Sequence, residues 1–210
     1  MKCTEFVLQD HAILRRGLDI LDGMVKKLED GARIEIADVV SILKFLRLFG
    51  DQYHQSMEEN VLFPALLCAA PLESPLSHML TEHSEERSLV AAIENALKFK
   101  VGIDFVRSSR QLSVLLRNHL DKEDTVLRRL ADQVLSVAED NIIVSEFARN
   151  YIQPESCLNF SPLERKYTSK ANAGPLSPAR EIERVRGGSD KTTKTQRHKE
   201  TERRRRLTIH

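Results

Sequence analysis

Tryptophan is absent from this 210-residue chain, and aromatic residues make up only 5 % of it, so Leu, Ile, Val and Ala must supply the core. Cysteine is nearly absent as well. Cys3, Cys68 and Cys157 are odd in number and form no C-x-x-C, which argues against a disulfide framework and for a reducing, cytoplasmic compartment. No run approaches the ~18 uninterrupted apolar residues that a membrane span needs. Glu5, Asp10, Arg15 and Arg16 interrupt the N-terminal segment, so no secretory leader is expected there. No period-2 alternation of useful length occurs, so strands are not expected.

The chain does have an apolar fraction of 41 %, enough for one core, and 30 % charged residues, which suits long amphipathic helices. The net charge of +1 conceals an asymmetry. From Ser161 onward there are 14 Lys and Arg against 6 Asp and Glu, whereas residues 1–160 carry 18 against 25. The halves are different physical objects. Past Pro154 the apolar pattern fails, and a segment that buries so little cannot offset the entropy of ordering. The chain therefore reads as one domain over residues 1–153 and a disordered basic tail over 154–210, with a weak helix signal around Pro178–Arg186. The Arg203–Arg206 run has no interleaved aromatics and no recognition helix. It reads as a solubilising extension, capable of non-specific contact with anions but not of specific nucleic-acid recognition.

Helical spacing predicts a first helix from about Thr4, as N-cap, to Leu28, with Phe6, Leu14, Leu18, Leu21 and Val25 on its stripe. A turn at Glu29–Ala32 leads to a second helix, about Ile36–Leu67, carrying Val39, Val40, Leu43, Leu46 and Phe49. Gly50 in its interior costs roughly 1 kcal/mol against Ala and suggests close packing or a bend. Pro64 suggests a kink or the start of termination. After a break at Ala70–Pro75, a third helix runs to about Phe99 through Met79, Leu80, Leu89, Ile93 and Leu97. Gly102 marks a turn. A fourth helix covers about Asp104–Leu135 with Phe105, Leu112, Leu116, Val126, Leu127 and Leu130. A short fifth, about Ala138–Tyr151 with Ile142, Ile143 and Phe147, should cross one end. The expected fold is all-α, an up-down-up-down four-helix bundle.

Two copies of His-x-x-x-Glu, His54–Glu58 and His119–Glu123, stand in helices two and four. A four-residue step is about one turn, so each His shares a face with its Glu. One copy alone would be an exposed pair worth a few tenths of a kcal/mol. Two lone histidines, His11 and His83, stand in helices one and three. Counted from the first turn at ~1.5 Å per residue, His11 and His54 both lie roughly 27 Å away. The same counting from the other turns brings His83 and the His119–Glu123 pair to the same level of an antiparallel bundle. Imidazole with carboxylate suits Fe, Zn or Mn, and a carboxylate can bridge two cations. Four imidazoles and two bridging carboxylates supply about eight contacts against about twelve positions on two six-coordinate ions, which leaves room for a small added ligand. Ferritin-like bundles use Glu-x-x-His instead; here only Asp51-x-x-His54 comes near, so that fold is set aside.

These residues carry a resemblance. Gln9-Asp10-His11, the string Tyr53-His54-Gln55-Ser56-Met57-Glu58-Glu59-Asn60-Val61-Leu62-Phe63-Pro64, Glu82-His83-Ser84-Glu85-Glu86-Arg87 and Asn118-His119-Leu120-Asp121-Lys122-Glu123-Asp124 resemble the hemerythrin-like (HHE cation-binding) family over about residues 1–150. The resemblance implies a non-haem di-iron centre with ligands His11, His54, Glu58, His83, His119 and Glu123. Oxygen-carrying members have a second helix-three histidine where this chain has Arg87. The pattern looks more like the four-histidine, two-glutamate branch, which includes proteins implicated in repair of iron–sulfur centres and in nitric oxide handling. Those repair proteins carry a further N-terminal cysteine-containing domain; this sequence has no C-x-x-C, so the repair role does not carry over whole.

The expected function is binding of two iron ions, oxo- or hydroxo-bridged, that engage O2, NO or peroxide for sensing, storage or detoxification. Turnover at the same centre (iron-centre repair, NO reduction or peroxide consumption) is the first alternative, and a metal-free helical interaction module the second. His78, His198 and His210 read as surface residues. Glu59, Glu82, Glu85, Glu86 and Asp124 read as a solvated face, one of them available to orient an imidazole N–H. Tyr53 reads as packing, and Cys68 as a small buried apolar residue.

Overall fold

The structure is a computed structural model that describes residues 2–69 and 75–168. Helix α1 spans Cys3–Glu29. Helix α2 begins at Ile36–Phe45 and runs on through two π-helical stretches, Leu46–Gln55 and Glu58–Leu62, into Phe63–Ala69. Helix α3 is Leu76–Lys98. Helix α4 is Gly102–Lys122, continued by a π-helical Glu123–Leu127 and then Arg128–Val134. Helix α5 is Val137–Asn150, followed by the short α6 (Pro154–Cys157) and α7 (Phe160–Tyr167). No strand occurs among the described residues, and no helix there is long and apolar enough to cross a membrane.

The four long helices form the expected bundle: α1 packs on α2 and α4, and α3 packs on α4 and α2. Ends and turns follow local chemistry. Helix α1 starts at Cys3, one residue before the expected cap at Thr4. The Cys3 N–H is already satisfied by Asp140 Oδ1 at 3.0 Å, so no cap at Thr4 is needed. Its C-terminus is a Schellman motif: Ala32 N–H reaches Lys27 O at 2.8 Å, Gly31 N–H reaches Leu28 O at 3.0 Å, and Gly31 takes φ +79°. The same pair of bonds closes α3, from Val101 to Ala96 and from Lys100 to Leu97, but the left-handed position is Lys100 with φ +56°. The turn residue is therefore Lys100, not Gly102, which is already helical. A Ser136–Glu139 capping box opens α5.

Pro64 does not end α2. It stands two residues past a π-helical stretch where the i→i−4 ladder is already interrupted, so its missing N–H does little further harm and the helix reaches Ala69. Gly50 sits inside the longer π-helical stretch. A Cβ there would meet Leu14 Cδ2 at an ordinary 3.5 Å, so close approach does not require it. Close approach does require Gly17, where a Cβ would lie 2.5 Å from Phe45 Cε1. Val40, Leu80, Val126 and Ile142, expected on buried stripes, are exposed. Cys68 is exposed too, whereas Cys3 and Cys157 are buried.

The expected tail boundary at residue 154 is corrected. Phe160, Leu163 and Tyr167 recur at helical spacing and are buried against α1. Phe160 meets Phe45 edge-on at 5.2 Å. The backbone of α7 lies so close to α1 that a Cβ on Gly23 would sit 2.1 Å from the Tyr167 carbonyl oxygen. Arg16–Glu164 and Lys166–Asp38 pairs hold the two sides. The low apolar density of the whole tail hid this one short stripe. The weak helix expected around Pro178–Arg186, the Arg203–Arg206 run and most of the break at Ala70–Pro75 lie outside the described residues.

Candidate metal centre

Each long helix sends one histidine to the same level of the interior, and α2 and α4 each add a glutamate. His11, His54, Glu58, His83, His119 and Glu123 are all at most 2 % exposed. Ligand atoms of His11, His54, Glu58 and Glu123 all lie within 4.8 Å of one another, and so do those of Glu58, His83, His119 and Glu123. The glutamates belong to both groups because each turns one oxygen to either side. Glu58 Oε1 is 3.6 Å from His54 Nε2, and its Oε2 is 3.5 Å from His83 Nε2. Glu123 Oε2 is 3.3 Å from His11 Nε2, and its Oε1 is 3.2 Å from His119 Nε2. That is the disposition of two carboxylates able to bridge two cations. Both glutamates are also the first residues of π-helical stretches, a local widening that changes where the following side chains point and recurs at functional sites.

The donor set fits a cation. Buried polar atoms nearly always have partners. Here His11 Nε2, His54 Nε2 and all four oxygens of Glu58 and Glu123 have no hydrogen-bond partner, and all converge on one volume. The Nε2 atoms of His83 and His119 face each other at 3.0 Å. Without a cation the cluster is electrostatically strained. Burial, reinforced by the Glu123 charge, pushes the Glu58 carboxyl up to about 8. Burial opposes ionisation of Glu123 too, but the imidazoles of His11 and His119, 3.3 and 3.2 Å from its oxygens, outweigh it and hold that carboxyl low. Burial would depress His119, yet Glu123 and Glu58 raise it to about 10, while burial and the neighbouring His119 lower His83 to about 4. Protons must leave such a site when a cation enters.

Behind the imidazoles stands a second set of carboxylates. His11 Nδ1 is 2.5 Å from Asp124 Oδ1, His83 Nδ1 is 2.8 Å from Glu59 Oε1, and His119 Nδ1 is 2.9 Å from Glu82 Oε2. His54 Nδ1 is 3.5 Å from Asp10 Oδ2. Such partners fix the ring orientation and raise ligand basicity. The expected solvated face includes Glu59, Glu82 and Asp124, and Asp10 has no expected role at the site. The structure corrects this. The signal was an acid immediately before each lone histidine and immediately after each inward glutamate. Asp10-His11 with His54-x-x-x-Glu58-Glu59 is matched by Glu82-His83 with His119-x-x-x-Glu123-Asp124. The acid preceding one histidine backs the next helix's histidine, and the acid following each glutamate crosses to the other half.

Glu86 was also misassigned. It is 4 % exposed, accepts a hydrogen bond from Gln55 Nε2, and is pushed up to about 7 by burial. Glu85 is exposed, as is His78, as expected. Tyr53 is buried and packs on Phe49 and Tyr151. A surface cleft of about 780 Å³ lies away from the six side chains, on the outer face between α3 and α4, lined by Ser88, Val114 and Leu115 among others. Beside Glu123 lies a narrow crevice of about 10 Å³, walled largely by Val7, Leu8, Leu62 and Leu127.

No curated protein and no solved structure matches the chain significantly. A model of the hemerythrin HHE cation binding domain matches residues 4–131, the stretch that contains all six converging side chains and their four backing carboxylates, and the chain therefore belongs to the hemerythrin HHE cation-binding family.

Proposed function

We propose that this protein holds two iron ions between Glu58 and Glu123, one on His11 and His54 and the other on His83 and His119, and uses them to engage O2, NO or peroxide in sensing, storage or detoxification. The observation that carries the reading is the convergence of unpartnered imidazole nitrogens and carboxylate oxygens in a buried volume. A bound iron pair would supply redox change and open coordination positions. The chain's own part is to orient the rings through Asp10, Glu59, Glu82 and Asp124, to exclude bulk water, and to admit only small ligands. The crevice beside Glu123 supports the last point, since Val7, Leu8, Leu62 and Leu127 form most of its walls and its volume of about 10 Å³ is no more than one water needs. The three unpaired cysteines accord with a reducing, cytoplasmic setting.

Elemental analysis and absorption spectra of aerobically and anaerobically purified protein test this. About two irons per chain are expected, as in other paired-metal bundles, with oxo-to-iron charge-transfer bands in the oxidised form. Reversible spectral change on adding O2, NO or H2O2 supports ligand engagement; sustained consumption would make the protein an enzyme instead. Chelation should lower stability by about 2.7 kcal/mol if the free metal had stood at a hundred times Kd. Unchanged spectra and stability after chelation would mean that the bundle works without metal.

A further inference from the structure

The arginines of the two halves follow one pattern, and the halves part company behind the other two histidines. In each half an arginine stands four residues after the lone histidine and grips the acid that backs that histidine. Arg15 Nη2 is 2.7 Å from Asp124 Oδ2, and Arg87 Nη2 is 2.7 Å from Glu59 Oε1. Each arginine also holds one further acid, Asp121 for Arg15 and Asp51 for Arg87. In these contacts the halves are equivalent. The other two histidines differ. Three residues after His119 stands Lys122, whose Nζ bonds Glu82, the acid behind His119. Three residues after His54 stands Met57, which is buried and uncharged. Asp10, behind His54, is 1 % exposed, and among the described residues it pairs with no lysine or arginine.

We infer that the halves are unequal: the half built on His11 and His54 takes a cation first and releases it last, and Lys122 makes the half built on His83 and His119 the exchangeable one. This rests on the two-iron reading. A buried carboxylate without a counter-cation is a strong reason to bind positive charge. Asp10 faces His54 with no cation of its own beside it, whereas Glu82 is shared between His119 and Lys122 and polarises His119 less. The contact of Asp10 with His54 is longer than that of Glu82 with His119, 3.5 against 2.9 Å. The hydrogen bond that Asp10 Oδ2 and His54 Nδ1 do not make counts for less than a buried carboxylate with no cation beside it. Glu86 does not alter the comparison, because it projects from the helix of His83 and takes a hydrogen bond from Gln55, the residue after His54, and so lies between the two halves. Lys122 is thus a positioning residue that acts through Glu82, and Asp10 is its unneutralised counterpart.

The test is release of ferrous iron to a chromophoric chelator under anaerobic conditions from protein loaded with two ions. Wild type should lose them in two phases of equal amplitude. Lys122→Met, which gives the second half the residue of the first, should slow the fast phase severalfold and leave the slow phase alone; Lys122→Arg should change neither. Asp10→Asn should speed the slow phase about tenfold, the usual scale for an outer-layer change. A single phase in wild type, or a faster release from Lys122→Met as expected of a merely structural clamp, would overturn the inference while leaving two-ion binding intact. Failure to load two ions would overturn the two-iron reading itself, and this inference with it.

Discussion

At the level of the histidines the bundle buries charge; at the level of Phe45 it buries rings. In the second region Phe45 stacks on Phe49 at 5.4 Å, meets Phe160 edge-on, and seats against Gly17, with Leu18 and Leu21 fully buried nearby. Every group there is satisfied by packing alone, and each fully buried large side chain contributes about 1.5–3 kcal/mol. In the first region, polar atoms converge with their hydrogen-bonding capacity unused. Such a layer works against folding until a cation enters it. One region of the molecule is a scaffold, and the other is a candidate metal site whose electrostatic strain the scaffold sustains.

The comparison breaks most visibly if a bridge is removed. Glu58→Ala or Glu123→Ala should lower iron content well below that of wild type with little loss of helix, as measured by elemental analysis beside circular dichroism. Wild-type iron in both variants would overturn the assignment of the six ligands. At the other end, Gly17→Ala forces a Cβ to within 2.5 Å of Phe45 Cε1. It should lower the urea-unfolding free energy by about 1–3 kcal/mol while iron content holds. Lys100→Gly relieves a left-handed backbone at a helix end and should raise stability by about 1 kcal/mol, again without touching iron. The smallest effect belongs to the seating of α7. Burial would raise the Asp38 carboxyl, but hydrogen bonds from Lys166 and Tyr167 overcome this and hold it below its ordinary 3.8. A depressed carboxylate stabilises fully above its unfolded value, and its contribution is lost as pH falls through the folded one. Acid titration should therefore show a stability loss below about 1 kcal/mol in that range, the scale of an exposed pair, and the loss should vanish in Asp38→Asn.

The six converging side chains were legible because helical period and antiparallel register are nearly rigid. A residue's depth along a helix follows from counting, and four counts agreed at His11, His54, His83 and His119. The outer acids were not legible by the same method. Glu59, Glu82, Asp124 and Glu86 look like a hydrated helix face, and their burial depends on which neighbouring helix covers them. The π-helical turns at Glu58 and Glu123 add to this, because they shift where the following acids point and leave no mark in a periodicity count. The α7 stripe of Phe160, Leu163 and Tyr167 was lost in the average composition of the segment around it.

The sequence by itself determined the helices, their antiparallel order and the level at which imidazole and carboxylate meet, since these follow from spacing along one chain at a fixed rise per residue. Only the tertiary structure decided which acids stand behind which ring, that Asp10 is left without a cation while Glu82 has Lys122, and that α7 closes on Gly23. Those outcomes depend on distances between helices, where a shift of an ångström exchanges a hydrated charge for a buried one.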